Sequence, residues 1–149
     1  MKRLILALLS ILILTACSTY SDEQLTEFDE EIQAYLEEQG KECERSESGL
    51  YFNIIDEGEG KKIQFNDVVA FKYKGELLDG EVFDENLDEP VEFQVKVLIQ
   101  AWKEVMLMLG EGGKAYLVCP PQLGYGDHDL DDIPPNSCLA FELEVVEVK

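Results

Sequence analysis

The residue types that usually carry chemistry are scarce in this chain of 149 residues. Its one histidine, His128, lies in the acidic run DHDLDD, no serine stands in a nucleophile elbow, and no cysteine has a histidine partner that sequence can suggest. No nucleophile is evident. Asp127, Asp129 and Asp131 have calcium-loop spacing, but Asp132 replaces the glycine of the turn and Cys138 stands where the bidentate glutamate belongs. GEGGKA lacks the first glycine and final hydroxyl of a phosphate loop, so it reads as a turn leaving a helix. The cysteines include no C-x-x-C pair, which argues against a zinc centre, and neither metal nor cofactor is expected. What remains is aromatic: Tyr73, Phe83, Phe93, Trp102, Tyr125 and Phe141, placed in strand-like runs and turns. Singly, each reads as ordinary core.

The elements that must position these rings follow from hydrophobic periodicity. From Leu98 to Leu109 the chain reads as a helix, with Gln100, Lys103 and Glu104 on a narrow polar stripe and Leu98, Trp102, Val105 and Leu109 opposite. A helix so apolar must be enclosed by another layer. The neighbouring segments supply strands: LYFNIID; DVVAFKYKGEL, with Val69, Phe71 and Tyr73 on one face; VEFQV; AYLVCP; and CLAFELEVVEVK, with Leu139, Phe141, Leu143 and Val145 inward. Asp79-Gly80 marks a tight turn. An antiparallel sheet with one enclosed helix is an α+β domain, expected over residues 49–149.

Residues 1–16 read as a leader: Lys2 and Arg3, an apolar run from Leu4 to Leu14, then small residues before Cys17. The stretch Leu14, Thr15, Ala16, Cys17 resembles a bacterial lipoprotein signal, which implies acylation of Cys17 and stable attachment to a lipid membrane at the cell envelope. Residues 17–48 follow as a lipidated leash and an amphipathic helix. That helix is capped by Ser21 or Asp22, carries Leu25, Phe28, Ile32, Tyr35 and Leu36 at helical spacing, and stops at Gly40. It can dock, dimerise or act as a spacer; a spacer with weak docking is the expectation, with KECERSES as a polar linker. The net charge of −20 excludes nucleic acid as a partner. Export permits a disulfide between Cys119 and Cys138, at the ends of two strands able to pair antiparallel.

Three stretches, FKYKGELLDGEVFDEN, LIQAWKEVMLMLGEGGKAYLVCPPQLGYG and IPPNSCLAFELEVVEV, together resemble the FKBP-type peptidyl-prolyl cis/trans isomerases in order across residues 49–149. The resemblance implies a curled antiparallel sheet of five or six strands around one short helix, with a pocket between them. It implies Tyr73, Asp84, Trp102 and Tyr125 as catalytic residues, Trp102 being the floor beneath a proline ring. Phe83, Val91, Leu98, Ile99, Ile133 and Phe141 would complete the substrate site. Proline-containing unfolded or exported polypeptides are the implied partners.

Two departures matter. Val91 follows Pro90 where the family often has an aromatic residue, and the flap from Gly126 to Ile133 is strongly acidic. The acidic rim implies a preference for basic or neutral residues around the proline. The wider wall at Val91 keeps open a non-catalytic proline-segment binding module or chaperone on the same fold. A weaker third reading is cation buffering by the flap.

Overall fold

The computed structural model describes residues 20–149; the leader and Cys17 lie outside the described residues. Six strands form one sheet: β1 Glu44–Arg45, β2 Tyr51–Asp56, β3 Val68–Leu77, β4 Val82–Gln94, β5 Lys114–Cys119 and β6 Leu139–Val148. Their order is β1-β2-β5-β6-β3-β4, and every neighbouring pair is antiparallel. Two α-helices accompany them, α1 Asp22–Gln39 and α2 Gln100–Met106.

Side chains that alternate along a strand divide this sheet into two packed faces. Leu117 and Cys119 of β5 and Leu139, Phe141, Leu143 and Val145 of β6 pack with Trp102, Val105 and Met106 of α2. Their neighbours Tyr116, Val118 and Ala140 point the other way, against Ile32, Tyr35 and Leu36 of α1. The sheet is therefore covered on both sides.

The second layer corrects the expectation of a weakly docked spacer. Ile32 is fully buried and Tyr116 Oη donates to Tyr35 Oη at 3.2 Å. Asp29 accepts from Arg45 Nε at 2.7 Å and from Tyr51 Oη at 3.0 Å, which ties the helix to β1 and β2. The expected linker thus contributes strand β1, so the sheet starts at Glu44 and not at Gly49. A capping box between Ser21 and Gln24 opens α1, and Gly40 closes it at φ 62°.

The enclosed helix is shorter than the predicted span from Leu98 to Leu109. Val95–Val97 form a 3-10 turn, Leu98 and Ile99 are extended with ψ of 164° and 156°, and α2 ends at Met106. Leu107 and Met108, beyond its end, are exposed. In β4 the pairing with β3 jumps from Tyr73↔Asn86 to Phe71↔Val91, so residues 87–90 bulge opposite Lys72.

The anticipated disulfide is absent. Cys119 and Cys138 are free, and strand alternation is the reason. Cys119 pairs with Leu139 and faces α2, whereas Cys138, one residue earlier, faces α1. Side chains on opposite faces cannot bridge. Burial pushes the Cys119 thiol up to about 12, so it behaves as a small apolar residue.

If α1 is a structural layer, Ile32→Ala should lower unfolding stability by about 2–5 kcal/mol. Urea denaturation checks this; a loss below about 0.5 kcal/mol, the size of a surface substitution, would mean a helix that merely rests on the sheet.

Candidate functional site

The site is built on rings that crowd one end of the α2 face. Trp102 lies edge to face with Phe71 at 5.3 Å and 89°, and with Phe141 at 5.2 Å and 83°; Tyr73 is tilted against it at 5.1 Å. Phe83 in turn meets Phe141 edge-on at 5.7 Å. Gly75 makes this crowding possible. A Cβ there would lie 2.6 Å from Phe83 Cζ and 2.9 Å from Phe141 Cε1, inside any tolerable contact.

These rings leave a cavity of about 320 Å³ between β3, β4 and the approach to α2. Trp102 and Phe141 form its inner surface, Leu98 and Ile99 one edge, and Tyr73, Phe83 and Asp84 a wall. Tyr125 closes it from the loop after β5. The extended backbone at Leu98 and Ile99 brings both side chains to the cavity before the helix begins.

The polar groups are few and ordered. Tyr73 Oη donates to Asp84 Oδ2 at 2.6 Å, while the Tyr125 hydroxyl has no hydrogen-bond partner among the described residues. Burial, and then the hydrogen bond to Asp84, raise the Tyr73 phenol above the ordinary tyrosine range; burial, and then Asp84, raise Tyr125. Both phenols therefore remain donors at neutral pH. Trp102 Nε1 is buried without a partner, the one such side-chain atom among the described residues, so packing alone orients the indole.

Of the residues expected from sequence, the structure brings Tyr73, Phe83, Asp84, Leu98, Ile99, Trp102, Tyr125 and Phe141 to one cavity. Ile133 lines an adjoining hollow with Phe83, Asp84, Tyr125, Asp131 and Asp132. Val91 is not at the cavity: beyond the bulge it pairs with Phe71 and packs against the core. The next residue on that face, Phe93, takes the position at the mouth, half exposed and 6.4 Å from the Phe71 ring. Val97 also lines the cavity and was not anticipated. Period-two alternation from Val91 is the signal that could have found Phe93; Val97 carries no comparable signal, because it sits in a 3-10 turn.

A broader hollow of about 380 Å³ on the opposite face is lined by Lys41, Lys72, Lys114, Glu142 and Glu144 among others. Its charges pair across strands, as Lys114 with Glu144 at 3.2 Å, and the Lys41 ammonium covers the Tyr116 ring at 3.5 Å. No three His, Cys, Asp or Glu side chains among the described residues converge to hold a metal.

Residues 59–146 match the family model described as FKBP-type peptidyl-prolyl cis-trans isomerase. The chain belongs to this family. Residues 1–18 match a prokaryotic membrane lipoprotein lipid attachment site, and no helix among the described residues is long and apolar enough to cross a membrane. A probable FKBP-type peptidyl-prolyl cis-trans isomerase of Haemophilus influenzae is 40% identical over 112 residues, 73% of this chain and 46% of that protein. The FKBP-type peptidyl-prolyl cis-trans isomerase FkpA of Escherichia coli is 38% identical over 119 residues, 77% of this chain and 44% of that protein. The chain thus spans less than half the length of these curated relatives. The crystal structure of FkpA from Escherichia coli superposes with a TM-score of 0.74 at 34% identity, covering 85% of this chain and 62% of that one. AtFKBP13 superposes at 0.66 and 31% identity, covering 72% and 99%.

The exchange of roles between Val91 and Phe93 is open to test. Phe93→Ala should weaken binding of a proline peptide about fivefold or more, the scale of a lost aromatic wall, whereas Val91→Ala should change it less than twofold. Calorimetric titration that ranks the two the other way would restore Val91 to the wall.

Proposed function

We propose that this protein catalyses cis/trans isomerisation of X-Pro bonds in exported polypeptides, held at the cell envelope by acylated Cys17. The observation that carries the reading is a tryptophan-floored, ring-walled cavity whose polar side-chain groups are two phenols, one carboxyl group and the indole N–H of its floor. Such a site has no need of a nucleophile. Rotation about an X-Pro bond is opposed by lost amide resonance, a barrier of about 18–20 kcal/mol, and takes tens to hundreds of seconds unaided.

The physical steps follow from the lining. The pyrrolidine ring sits on the indole of Trp102 between Tyr73, Phe93 and Phe141, and the amide leaves water with it. A twisted amide is less polarised than a planar one, so an apolar enclosure costs the twisted state less and lowers the barrier. Tyr125, with a free hydroxyl, donates to a substrate carbonyl and fixes the peptide's direction. Tyr73 Oη keeps its proton and donates it in a hydrogen bond to Asp84, which orients the carboxyl group toward the rotating amide. Asp131 and Asp132 beside the mouth favour basic residues next to the proline.

Conformer-specific cleavage of proline tetrapeptides tests this reading. Trp102→Phe, which keeps a ring in the core, should lower kcat/KM about tenfold, equivalent to about 1.4 kcal/mol of transition-state stabilisation. With the unaltered protein, Lys-Pro peptides should turn over about threefold faster than Glu-Pro peptides at low salt, the gap closing in about 1 M salt where screening reaches about 3 Å. No acceleration above the thermal rate by the unaltered protein would leave a proline-segment binding module.

A further inference from the structure

The loop from Gly126 to Asn136 carries the flap over the site and ends in an unusual residue. Asn136 has φ 62°, the one positive value outside glycine among the described residues. Asparagine tolerates that conformation, but nothing in its own backbone selects it over others. Two contacts do. Asn136 N–H donates to Gly126 O at 2.9 Å, joining the two legs of the loop, and Asn136 Oδ1 accepts from Tyr20 Oη at 2.8 Å.

Tyr20 stands at the other end of the chain. It precedes the Ser21 cap of α1, yet it is only 6% exposed, with its ring edge-on to Phe28 at 5.3 Å. Its hydroxyl also lies 3.8 Å from the place a Cβ on Gly126 would occupy, and the two residues line one hollow, so the phenol stands beside both legs of the loop. Beyond the Asn136–Gly126 bond at its base, the loop's crossing bonds are the reciprocal pair between Leu130 and Ile133, each 3.3 Å. Tyr125 is adjacent to one leg, and Ile133 is three residues from the other.

We propose that Tyr20 is a positioning residue for the substrate loop, clasping its base so that Tyr125 and Ile133 are held at the pocket. This rests on the isomerase reading above for its kinetic consequence and on the geometry alone for its structural one.

The test uses the full acylated protein in detergent micelles, with Tyr20→Phe, Asn136→Gly and the double variant. Phenylalanine keeps the ring contact with Phe28, and glycine keeps the positive φ, so each single variant removes the hydrogen bond between the two side chains. Amide hydrogen exchange across residues 126–136 should quicken about tenfold in each single variant, with the sheet unchanged. KM for a proline peptide should rise about threefold with kcat within about twofold, and the double variant should be no worse than either single.

Unchanged loop exchange in Tyr20→Phe would overturn the clasp. So would additive effects in the double variant, or exchange that quickens equally in α1 and the sheet. Faster loop exchange with an unchanged KM would overturn the positioning role. Should the unaltered protein prove inactive, the isomerase reading fails by itself. Loop exchange and peptide affinity then still decide the clasp.

Discussion

Trp102 belongs to the core and to the cavity at once, and the rest of the site depends on how that is achieved. Phe71 and Phe141 meet it edge to face, an arrangement favoured by the ring quadrupoles over stacking. Because its indole N–H makes no hydrogen bond, no polar contact competes with these rings in setting its tilt. An unsatisfied buried donor costs about 1–3 kcal/mol, so the packing must outweigh that. The ring that results is rigidly placed and still offers surface to a ligand.

The sheet makes the arrangement affordable by separating its two faces. One face supplies the aromatic enclosure around α2; the other is covered by α1 and anchored through Asp29, Arg45 and Tyr51. Layers on both sides hold β5 and β6 in place, and these strands carry Phe141 and lead into the loop bearing Tyr125.

Much of this was legible from residue order. Alternation in β3 and β6 revealed the inward residues, and the resemblance of FKYKGELLDGEVFDEN and its companions pointed to eight of the cavity's lining side chains. What stayed hidden was non-local. The apolar stripe of α1 is the same for a spacer as for a docked helix; only the distant Tyr116, Val118 and Ala140 decide which it is. Helical periodicity continued through Leu98 and Ile99 although both are extended, because pattern does not reveal that their side chains turn into a cavity. The exchange of Val91 for Phe93 depends on a bulge whose length fixes which residue re-enters the ladder at Phe71. Cys119 and Cys138 looked able to pair because strand ends show proximity in sequence diagrams but not the face each residue occupies.

The central claim is that a proline ring rests on the Trp102 indole. Nuclear magnetic resonance of a bound X-Pro peptide measures this most directly, through the shifts of the pyrrolidine protons and their cross-relaxation with the indole. Seated on the aromatic face, those protons move upfield and show contacts to the Trp102 ring, while protons elsewhere in the peptide move little. A peptide that binds with its proline protons unshifted, and without contacts to that ring, would contradict the account.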